Sequence, residues 1–399
     1  MESRGSARGM TLTGLDRLAR GDAEVLASMK GRLGLVAHPA SVDRRLGHAR
    51  EVMRAHGLEV VALFGPEHGY GGEAQDMIGV ADARDRDGTP IHTLYGERYE
   101  DLSPRREHLE GLDAIVVDLE DVGARYYTFV WTCALVIEAA SKLGIRTIVL
   151  DRPNPLGGLR LEGAPQRPGF RSFVGLFDVP VRHGMTIGEI ALFSAAQLGV
   201  DPRLVEVVRM EGWSRAMGFE DTGLPWVLPS PNMPTCDTAR VYPGGCLLEG
   251  TNLSEGRGQT RPFEIFGAPW LDGRALAALE IDGAILRALT FSPTFHKHAK
   301  TTCGGVQVHV TDEARFRSYE AYVRLIARAR SLAPDAFRWR TERYEFVDTI
   351  PAIDLLTGGP EVRETIDRGG DLDALLAEDR RRAEAFRATR APFLLYPEP

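Results

Sequence analysis

Residues 58–72 have the sequence LEVVALFGPEHGYGG, in which an apolar run of strand length is followed by a glycine-rich loop. The strand cannot continue past Gly65 and Pro66, because proline donates no hydrogen bond to a strand ladder. Glu67 and His68 come next, among glycines that let a backbone approach a ligand closely. The pattern predicts a rigid loop that presents an acid at the end of a strand. The alternative is an ordinary tight turn with a solvated glutamate and a packed histidine.

Short apolar runs like this one recur along the first 210 residues and alternate with segments of helical spacing. Apolar strands between helices, without polar alternation, indicate a parallel sheet that is covered on both faces. Thr186 and Glu189 also form a capping-box pattern at the start of one helix, which gives Glu189 a structural role. We therefore expect an α/β fold with a Rossmann-like, mostly parallel sheet. The predicted strands are 33–37, 58–64, 91–94, 113–117, 145–150 and 205–210, and the predicted helices are 15–29, 43–56, 128–143 and 186–198.

Polar residues follow four of these strands at the point where each strand ends. They lie at 38–41, 67–70, 118–127 and 151–154. In open parallel sheets, ligands bind beyond the carboxyl ends of the strands. We therefore expect these four loops to converge on one crevice.

The proline-dense segment 223–238 is the predicted boundary between two domains. We expect a Rossmann-like catalytic domain over 14–238 and a smaller α+β domain over 239–399 that closes the active-site cleft. The second domain opens with a glycine- and arginine-rich stretch, 242–264, which we interpret as a binding loop. A strand at 305–310 and helices at 313–330 and 371–390 follow. Residues 1–13 are small and polar, and we expect them to be disordered.

The composition excludes several classes of protein. The chain has 399 residues and a net charge of -8, which argues against a nucleic-acid partner. No stretch offers the ~20 apolar residues of a membrane span, and the start shows no signal peptide, so we expect a cytoplasmic protein from the chain as given. The four cysteines form no CxxC pair, which argues against a zinc site or a disulfide framework.

Two groups of acids on neighbouring loops suggest chemistry. Glu67 on one loop and Asp118, Glu120 and Asp121 on another would place carboxyl groups across a crevice, as glycoside hydrolysis requires. Acids at strand ends also bind metals or cap helices, and with His38, His68 and His183 they could form a metal site. No metal-binding spacing supports such a site. Neither GxGxxG nor a P-loop motif is present, so we expect no nucleotide cofactor, no other cofactor and no metal.

Arg125 and Tyr126, together with Arg257 and Arg261, supply cations and an aromatic face near the same loops. A guanidinium group can bind a carboxylate or phosphate through two hydrogen bonds, and a tyrosine ring suits a sugar. The alternative is that the arginines form ion pairs between the two domains.

Five motifs resemble those of the NamZ family, formerly a domain of unknown function. They are FGPEHG at 64–69, DLEDVGARYYT at 118–128, DRPNP at 151–155, PNMP at 231–234 and EGTNLSEGRG at 249–258. The resemblance runs from about residue 14 to residue 397. It implies an exo-β-N-acetylmuramidase that releases N-acetylmuramic acid (MurNAc) from the non-reducing end of peptidoglycan fragments, with an active site between two domains.

The resemblance also directs the choice of site residues. It implies that Glu67, in the GPEHG motif, is the catalytic acid. The candidate catalytic residues are Glu67, His68, Asp118 and Asp121. The candidate substrate-binding residues are Arg125, Tyr126, Asn154, His183, Asn232, Glu249, Asn252, Glu255 and Arg257.

One position departs from the family pattern, since Glu120 stands where a glutamine is common. If this side chain lined the pocket, its charge would face an anionic substrate. The lactyl carboxylate of MurNAc needs a cation, and Arg125 or Arg257 is expected to supply it. Many relatives are exported. The alternatives left open are a non-catalytic protein that binds muropeptides or sugars and a metal-dependent hydrolase; the oligomeric state is also open.

Overall fold

The computed structural model describes residues 10–398 and confirms the predicted α/β class. A seven-stranded sheet has the order β3-β4-β2-β1-β5-β6-β7, and a smaller antiparallel sheet has the order β8-β10-β9. In the large sheet all neighbouring strands are parallel except β3 and β4. The strands are β1 (Arg32–Ala37), β2 (Glu59–Gly65), β3 (Ala83–Arg84), β4 (Pro90–Thr93), β5 (Ala114–Asp118), β6 (Arg146–Leu150), β7 (Val205–Val208), β8 (Ile265–Ala268), β9 (Ala284–Phe291) and β10 (Cys303–Val310).

Twelve α-helices surround these sheets within the described part of the chain. Within residues 10–398 no helix combines the length and the apolar character that a membrane span requires. The helices are α1 (Gly14–Ala19), α2 (Ala23–Ser28), α3 (Ala49–Ala55), α4 (Arg106–Leu109), α5 (Phe129–Ser141), α6 (Ile187–Gln197), α7 (Cys236–Gly245), α8 (Gly273–Ala277), α9 (Ser318–Leu332), α10 (Ala352–Thr357), α11 (Glu361–Arg368) and α12 (Leu372–Arg390).

The strand pattern places alternate side chains on opposite faces of the large sheet. On one face, Leu33 and Leu35 pack with residues of α1, α2 and α3. On the other face, Val36 and Val117 belong to a larger core that includes α5, α6 and most of the second half of the chain. The second half therefore packs on the same core as the sheet.

Several local predictions need correction. The predicted helix at 15–29 is two helices, because Gly21 adopts a positive φ of 80° and Asp22 caps the second helix. The predicted helix at 43–56 begins only at Ala49, since the Asp43 carboxylate accepts hydrogen bonds from the Arg45 and Gly47 amides and forms a turn.

Two further predictions concern the chain start and the stretch after the proline-dense segment. Residues 1–9 lie outside the described residues, but Leu12 pairs with Glu211 and Thr13 caps α1, so the expectation of disorder is wrong for this part. Part of the predicted binding loop at 242–264 is helical, since α7 continues to Gly245. The predicted capping box at α6 is confirmed by reciprocal hydrogen bonds between Thr186 and Glu189.

Candidate active site

The loop after β2 folds back tightly on the strand end and buries Glu67. A side chain at Gly65 would place its Cβ 2.3 Å from the Tyr70 amide nitrogen, so only glycine fits there. His68 has a positive φ of 72°, which is unusual for a residue other than glycine. Its Nδ1 donates to the Ala74 carbonyl over 2.8 Å and so holds the loop closed. The Glu67 carboxylate is thereby fixed at the carboxyl end of the parallel sheet.

Two hydrogen bonds orient the Glu67 carboxylate. The Thr128 hydroxyl, at the start of α5, donates to Oε2 over 2.7 Å. The Met77 amide donates to Oε1 over 3.4 Å. Both carboxylate oxygens therefore accept a hydrogen bond, an arrangement that suits an ionised carboxylate.

Glu67 lines a narrow cavity that encloses about 40 Å³ of space open to water. The walls come from both halves of the chain, and three of the side chains are carboxylic acids in addition to Glu67. The cavity is much smaller than the roughly 300–1,000 Å³ of typical ligand pockets. The polar and aromatic lining residues are Glu67, His68, Asp76, Tyr126, Tyr127, Thr128, Phe129, Ser230, Asn232, Tyr242, Glu249, Arg257, Phe263, Tyr344 and Glu345.

Glu345 reaches this cavity from a distant part of the sequence. It is buried, and its Oε2 accepts a hydrogen bond of 3.0 Å from the Tyr95 hydroxyl. Burial raises the pKa of Glu345 well above its usual value, and the negative charge of Glu67 raises this pKa further. The sequence analysis missed this residue. Its segment is neither glycine-rich nor at the end of a parallel strand, so only the three-dimensional fold reveals it.

Arg257 lines the cavity and belongs to a buried cluster of charges. Its guanidinium lies 3.1 Å from Asp76, 2.6 Å from Glu249 and 3.2 Å from Glu255. His296 and Lys297 also lie within 3.0 Å of Glu255, which does not line the cavity. Burial raises the pKa of Asp76, whose side chain comes from the same loop as Glu67. Asp76 is a second residue that the sequence analysis missed.

Asp118 and Glu120 form a separate buried network around Arg152. Two guanidinium nitrogens of Arg152 contact the Asp118 carboxylate over 2.6 and 2.9 Å, and a third lies 3.3 Å from Glu120. His38 joins them, because its Nε2 accepts from the Glu120 amide over 3.0 Å. Asp118 does not line the cavity with Glu67. Glu120 instead borders a separate void of about 20 Å³, so its charge does not face the cavity.

The other predicted residues divide between the cavity and the surrounding core. Tyr126, Asn232, Glu249 and Arg257 line the cavity together with Glu67 and His68. Arg125 does not, because its guanidinium donates to the carbonyl oxygens of Ala164, Val179 and Leu356. This placement is against a role for Arg125 in binding a substrate carboxylate.

Four further predicted residues are also held away from the cavity by contacts in the core. Asp121 lies 3.4 Å from His183, and its carboxylate accepts from the Gly123 amide. The Asn154 side chain donates to the Met185 carbonyl over 2.9 Å. The Asn252 side chain donates to the Ala336 carbonyl and accepts from the Arg338 amide. The predicted single crevice is therefore split, and only part of the candidate set surrounds Glu67.

The predicted alternative of a metal site formed by His38, His68 and His183 has no geometric support. Among residues 10–398, the His, Cys, Asp and Glu side chains close enough to share an ion are those of Asp82, His92 and His108. The His92 and His108 rings stack with centroids 3.8 Å apart and planes inclined by 12°. An ion bound by both would lie far outside at least one ring plane, whereas a histidine ligand points its nitrogen lone pair along the ring plane.

A larger groove of about 650 Å³ lies elsewhere and is lined by eight arginines. Most of these arginines have partners: Arg160, for example, donates to the carbonyl oxygens of Glu313, Ala314 and Phe316. The glutamates that line the groove, Glu313, Glu320 and Glu384, are each ion-paired with an arginine, which is against their acting as catalytic acids.

Comparisons with known proteins extend over almost the whole chain. Residues 33–237 match the family model described as exo-beta-N-acetylmuramidase NamZ, N-terminal, and residues 240–396 match the corresponding C-terminal model. The peptidoglycan beta-N-acetylmuramidase NamZ of Bacillus subtilis (strain 168) is 40% identical over 392 residues, which cover 96% of this chain and 91% of that protein.

Two crystal structures of DUF1343 family proteins from Bacteroides fragilis share the fold. One is 30% identical, with a TM-score of 0.86, and the match covers 97% of this chain and 99% of that one. The other is 26% identical, with a TM-score of 0.71 and coverage of 98% and 99%.

Proposed function

This chain belongs to the NamZ family and is an exo-β-N-acetylmuramidase, and on that premise we propose that Glu67 is a catalytic carboxyl group at the cavity between the two halves of the chain. As a glycosidase of this family it releases MurNAc from the non-reducing end of peptidoglycan fragments. We also propose a domain boundary near residues 238–239, with both domains contributing to the cavity.

The burial and orientation of Glu67 carry this proposal. Its carboxylate accepts hydrogen bonds from Thr128 and Met77, and the side chains of Tyr126 and Tyr127 line the same cavity. A carboxylate in this position can stabilise the positive charge that develops on the sugar ring as the glycosidic bond breaks. Tyrosine faces suit the apolar faces of a sugar ring. The catalytic centre therefore needs no residue from the Arg152 network.

The experiment is the substitution Glu67→Gln, which keeps the size of the side chain and removes its charge. We expect the variant to fold with an unchanged melting temperature and to lose at least ~100-fold in kcat on a MurNAc-GlcNAc disaccharide. Glu73→Gln, at an exposed position of the same loop, is the matched control and should retain full activity. A folded Glu67→Gln enzyme with near wild-type kcat would remove Glu67 from the mechanism.

Arg257 is the residue that we propose binds the lactyl carboxylate of MurNAc. The described residues that line the cavity include one arginine, Arg257, and no lysine. Its guanidinium also lies 5.3 Å from the centre of the Phe263 ring, which fixes its plane. A planar guanidinium can bind a carboxylate through two hydrogen bonds.

Asp76 occupies part of the position that this carboxylate would take. It lies 3.1 Å from Arg257, and burial raises its pKa, so a proton can neutralise it at smaller cost than at the surface. We propose that the substrate carboxylate replaces Asp76 at Arg257. Because Asp76 and Glu67 share one loop, this exchange would move the loop outward and widen a cavity too small for a sugar ring.

A further inference from the structure

Glu345 occupies a backbone turn that is unfavourable for the residues it contains. Tyr344 and Val347 exchange two backbone hydrogen bonds of 2.8 and 2.9 Å around a two-residue turn. The two central residues, Glu345 and Phe346, have φ values of 44° and 69°. Hairpin turns of this kind usually contain glycine or asparagine, because a left-handed conformation costs other residues about 1–2 kcal/mol each. Backbone strain of this kind persists mainly where a function requires it.

Contacts on both sides of the turn hold it in place and leave Glu345 directed into the cavity. The Phe346 ring packs against Tyr95 and Phe173, with ring centroids 5.7 and 6.4 Å away. The Tyr344 hydroxyl donates to the Glu249 carboxylate over 2.7 Å. Glu345 therefore has no freedom to leave the cavity wall without disrupting an aromatic cluster.

The charges around Glu345 favour its neutral form. No salt bridge joins Glu345 to a cation within residues 10–398, and Arg257 on the cavity wall is held by Asp76, Glu249 and Glu255. The groups that face Glu345 are mainly acids, and they raise its pKa, whereas the hydrogen bond from Tyr95 lowers it. These groups are Glu67 and Asp76 on the loop after β2, Glu249 near Arg257, and Tyr95 after β4.

We propose that Glu345 is the second catalytic carboxyl group and donates a proton to the oxygen of the leaving sugar. The inference rests on the proposed role of the Glu67 cavity. When the bond between the anomeric carbon of MurNAc and the glycosidic oxygen breaks, the bonding electron pair stays on the oxygen, which takes the Glu345 proton. Water then supplies the hydroxyl group of the anomeric carbon, and its other proton returns to Glu345. Glu67 remains ionised while the bond breaks and stabilises the charge on the sugar ring.

Two substrates that differ in their leaving group test whether Glu345 is the proton donor. The disaccharide MurNAc-β-1,4-GlcNAc has a poor leaving group that must be protonated, whereas 2,4-dinitrophenyl β-MurNAc has one that leaves without a proton. We expect Glu345→Gln to lower kcat/KM at least ~100-fold on the disaccharide and less than about 10-fold on the aryl glycoside. We expect Glu67→Gln to lower both strongly. The exposed Glu342→Gln, three residues away, is the matched control and should change neither rate.

The outcomes separate the proton-donor role of Glu345 from the proposed catalytic role of Glu67. Equal losses on both substrates for Glu345→Gln would overturn its role as proton donor and leave Glu67 in place. An aryl-glycoside rate that survives in Glu67→Gln but not in Glu345→Gln would reverse the roles and also overturn the inference. Unchanged rates in Glu67→Gln would instead overturn the proposed site.

The pH profile adds a readout that a structural role would not change. Because Glu345 must carry a proton, wild-type activity on the disaccharide should fall at alkaline pH as this group ionises, and that limb should be absent in Glu345→Gln. If the glutamine variant does not fold, Glu345→Asp keeps an acidic proton at a shorter reach and should show the same difference between the two substrates. An unaltered alkaline limb in a folded Glu345→Gln enzyme would contradict the inference.

Discussion

Two buried clusters of acids lie at the carboxyl end of the same parallel sheet, and they differ in one partner. Asp118 contacts the guanidinium of Arg152 over 2.6 Å, and Glu120 lies 3.3 Å from the same group. Glu67 and Glu345 share a cavity in which the nearest arginine is already held by other acids. An adjacent cation favours the charged form of a buried acid, whereas burial without a cation favours the protonated form. The comparison therefore separates an acid cluster that supports the fold from one that can transfer a proton.

The largest effect is expected from removing the cation of the Arg152 network. Arg152→Met leaves two buried carboxylates without a partner, and we expect a loss of about 3–5 kcal/mol in the free energy of unfolding. Differential scanning calorimetry should show a melting temperature lower by roughly 5 °C. At a temperature where the variant is folded, kcat on the disaccharide should stay within a few-fold of wild type.

A matched control is Arg146→Met, at the partly exposed start of β6, the strand that precedes Arg152, where the ion pair with Glu206 is accessible to solvent. That variant should change the melting temperature little. An Arg152→Met enzyme that melts like wild type but has lost its activity would place the Arg152 network in the catalytic site, and the two acid clusters would then not differ in role.

The sequence predicts the sheet and its acids better than it predicts which acids act. Apolar strands between helices indicate the parallel sheet, and GPEHG indicates the loop that buries Glu67. Arg125 has a motif and a charge, yet backbone carbonyls from three segments satisfy it. Hydrogen bonds to distant backbone atoms leave no pattern in the sequence, so residues that hold the core and residues that bind a ligand cannot be separated from motifs alone.

Glu345 is the opposite case to Arg125, because it lines the cavity but was not predicted from the sequence. Glu345 reaches the cavity only because a turn with positive φ values brings it there from the second half of the chain. Glutamate and phenylalanine do not indicate a left-handed turn, since that conformation normally selects glycine or asparagine. The positions that sequence analysis misses here are therefore those at which tertiary contacts override local preference.

Arg257 shares features of both clusters, and a smaller effect is expected from its substitution. It is ion-paired, like Arg152, but it also lines the cavity. We expect Arg257→Ala to lower kcat/KM for a chromogenic MurNAc β-glycoside by about 10- to 100-fold, and to change the poor rate on the GlcNAc glycoside little. GlcNAc lacks the lactyl carboxylate and so gains nothing from the guanidinium.

Arg261→Ala provides the matched control, because this arginine lies in the same loop, is partly exposed and pairs with Glu264. Arg257→Lys tests geometry separately from charge, since a lysine cannot form the two parallel hydrogen bonds. Equal proportional losses on the two glycosides, or a large fall in the melting temperature, would show that Arg257 only holds its acidic neighbours together.

The third and smallest effect concerns Glu120, the weakest member of the Arg152 network. It lies 3.3 Å from Arg152, and one of its carboxylate oxygens has no hydrogen-bond partner. Burial raises the pKa of Glu120 from 4.5 to about 7, so the folded protein binds this proton more tightly than the unfolded chain does. Its contribution to stability is therefore fully present below about pH 4.5 and is lost as the pH rises through about 7.

Glu120→Gln removes this penalty, because glutamine is neutral at every pH and its carbonyl oxygen can still face Arg152. We expect the variant to be more stable than wild type at pH 8, by about 1–3 kcal/mol, and the difference to disappear near pH 4.5. Asp151 and Asp379 also titrate with raised pKa values in both proteins, so the informative quantity is the difference in melting temperature between variant and wild type at each pH. The exposed Glu110→Gln should show no such trend. A difference that is constant with pH, or a variant less stable at pH 8, would mean that Glu120 is ionised and held by Arg152 as firmly as Asp118, and that both acids of this network are paired equally.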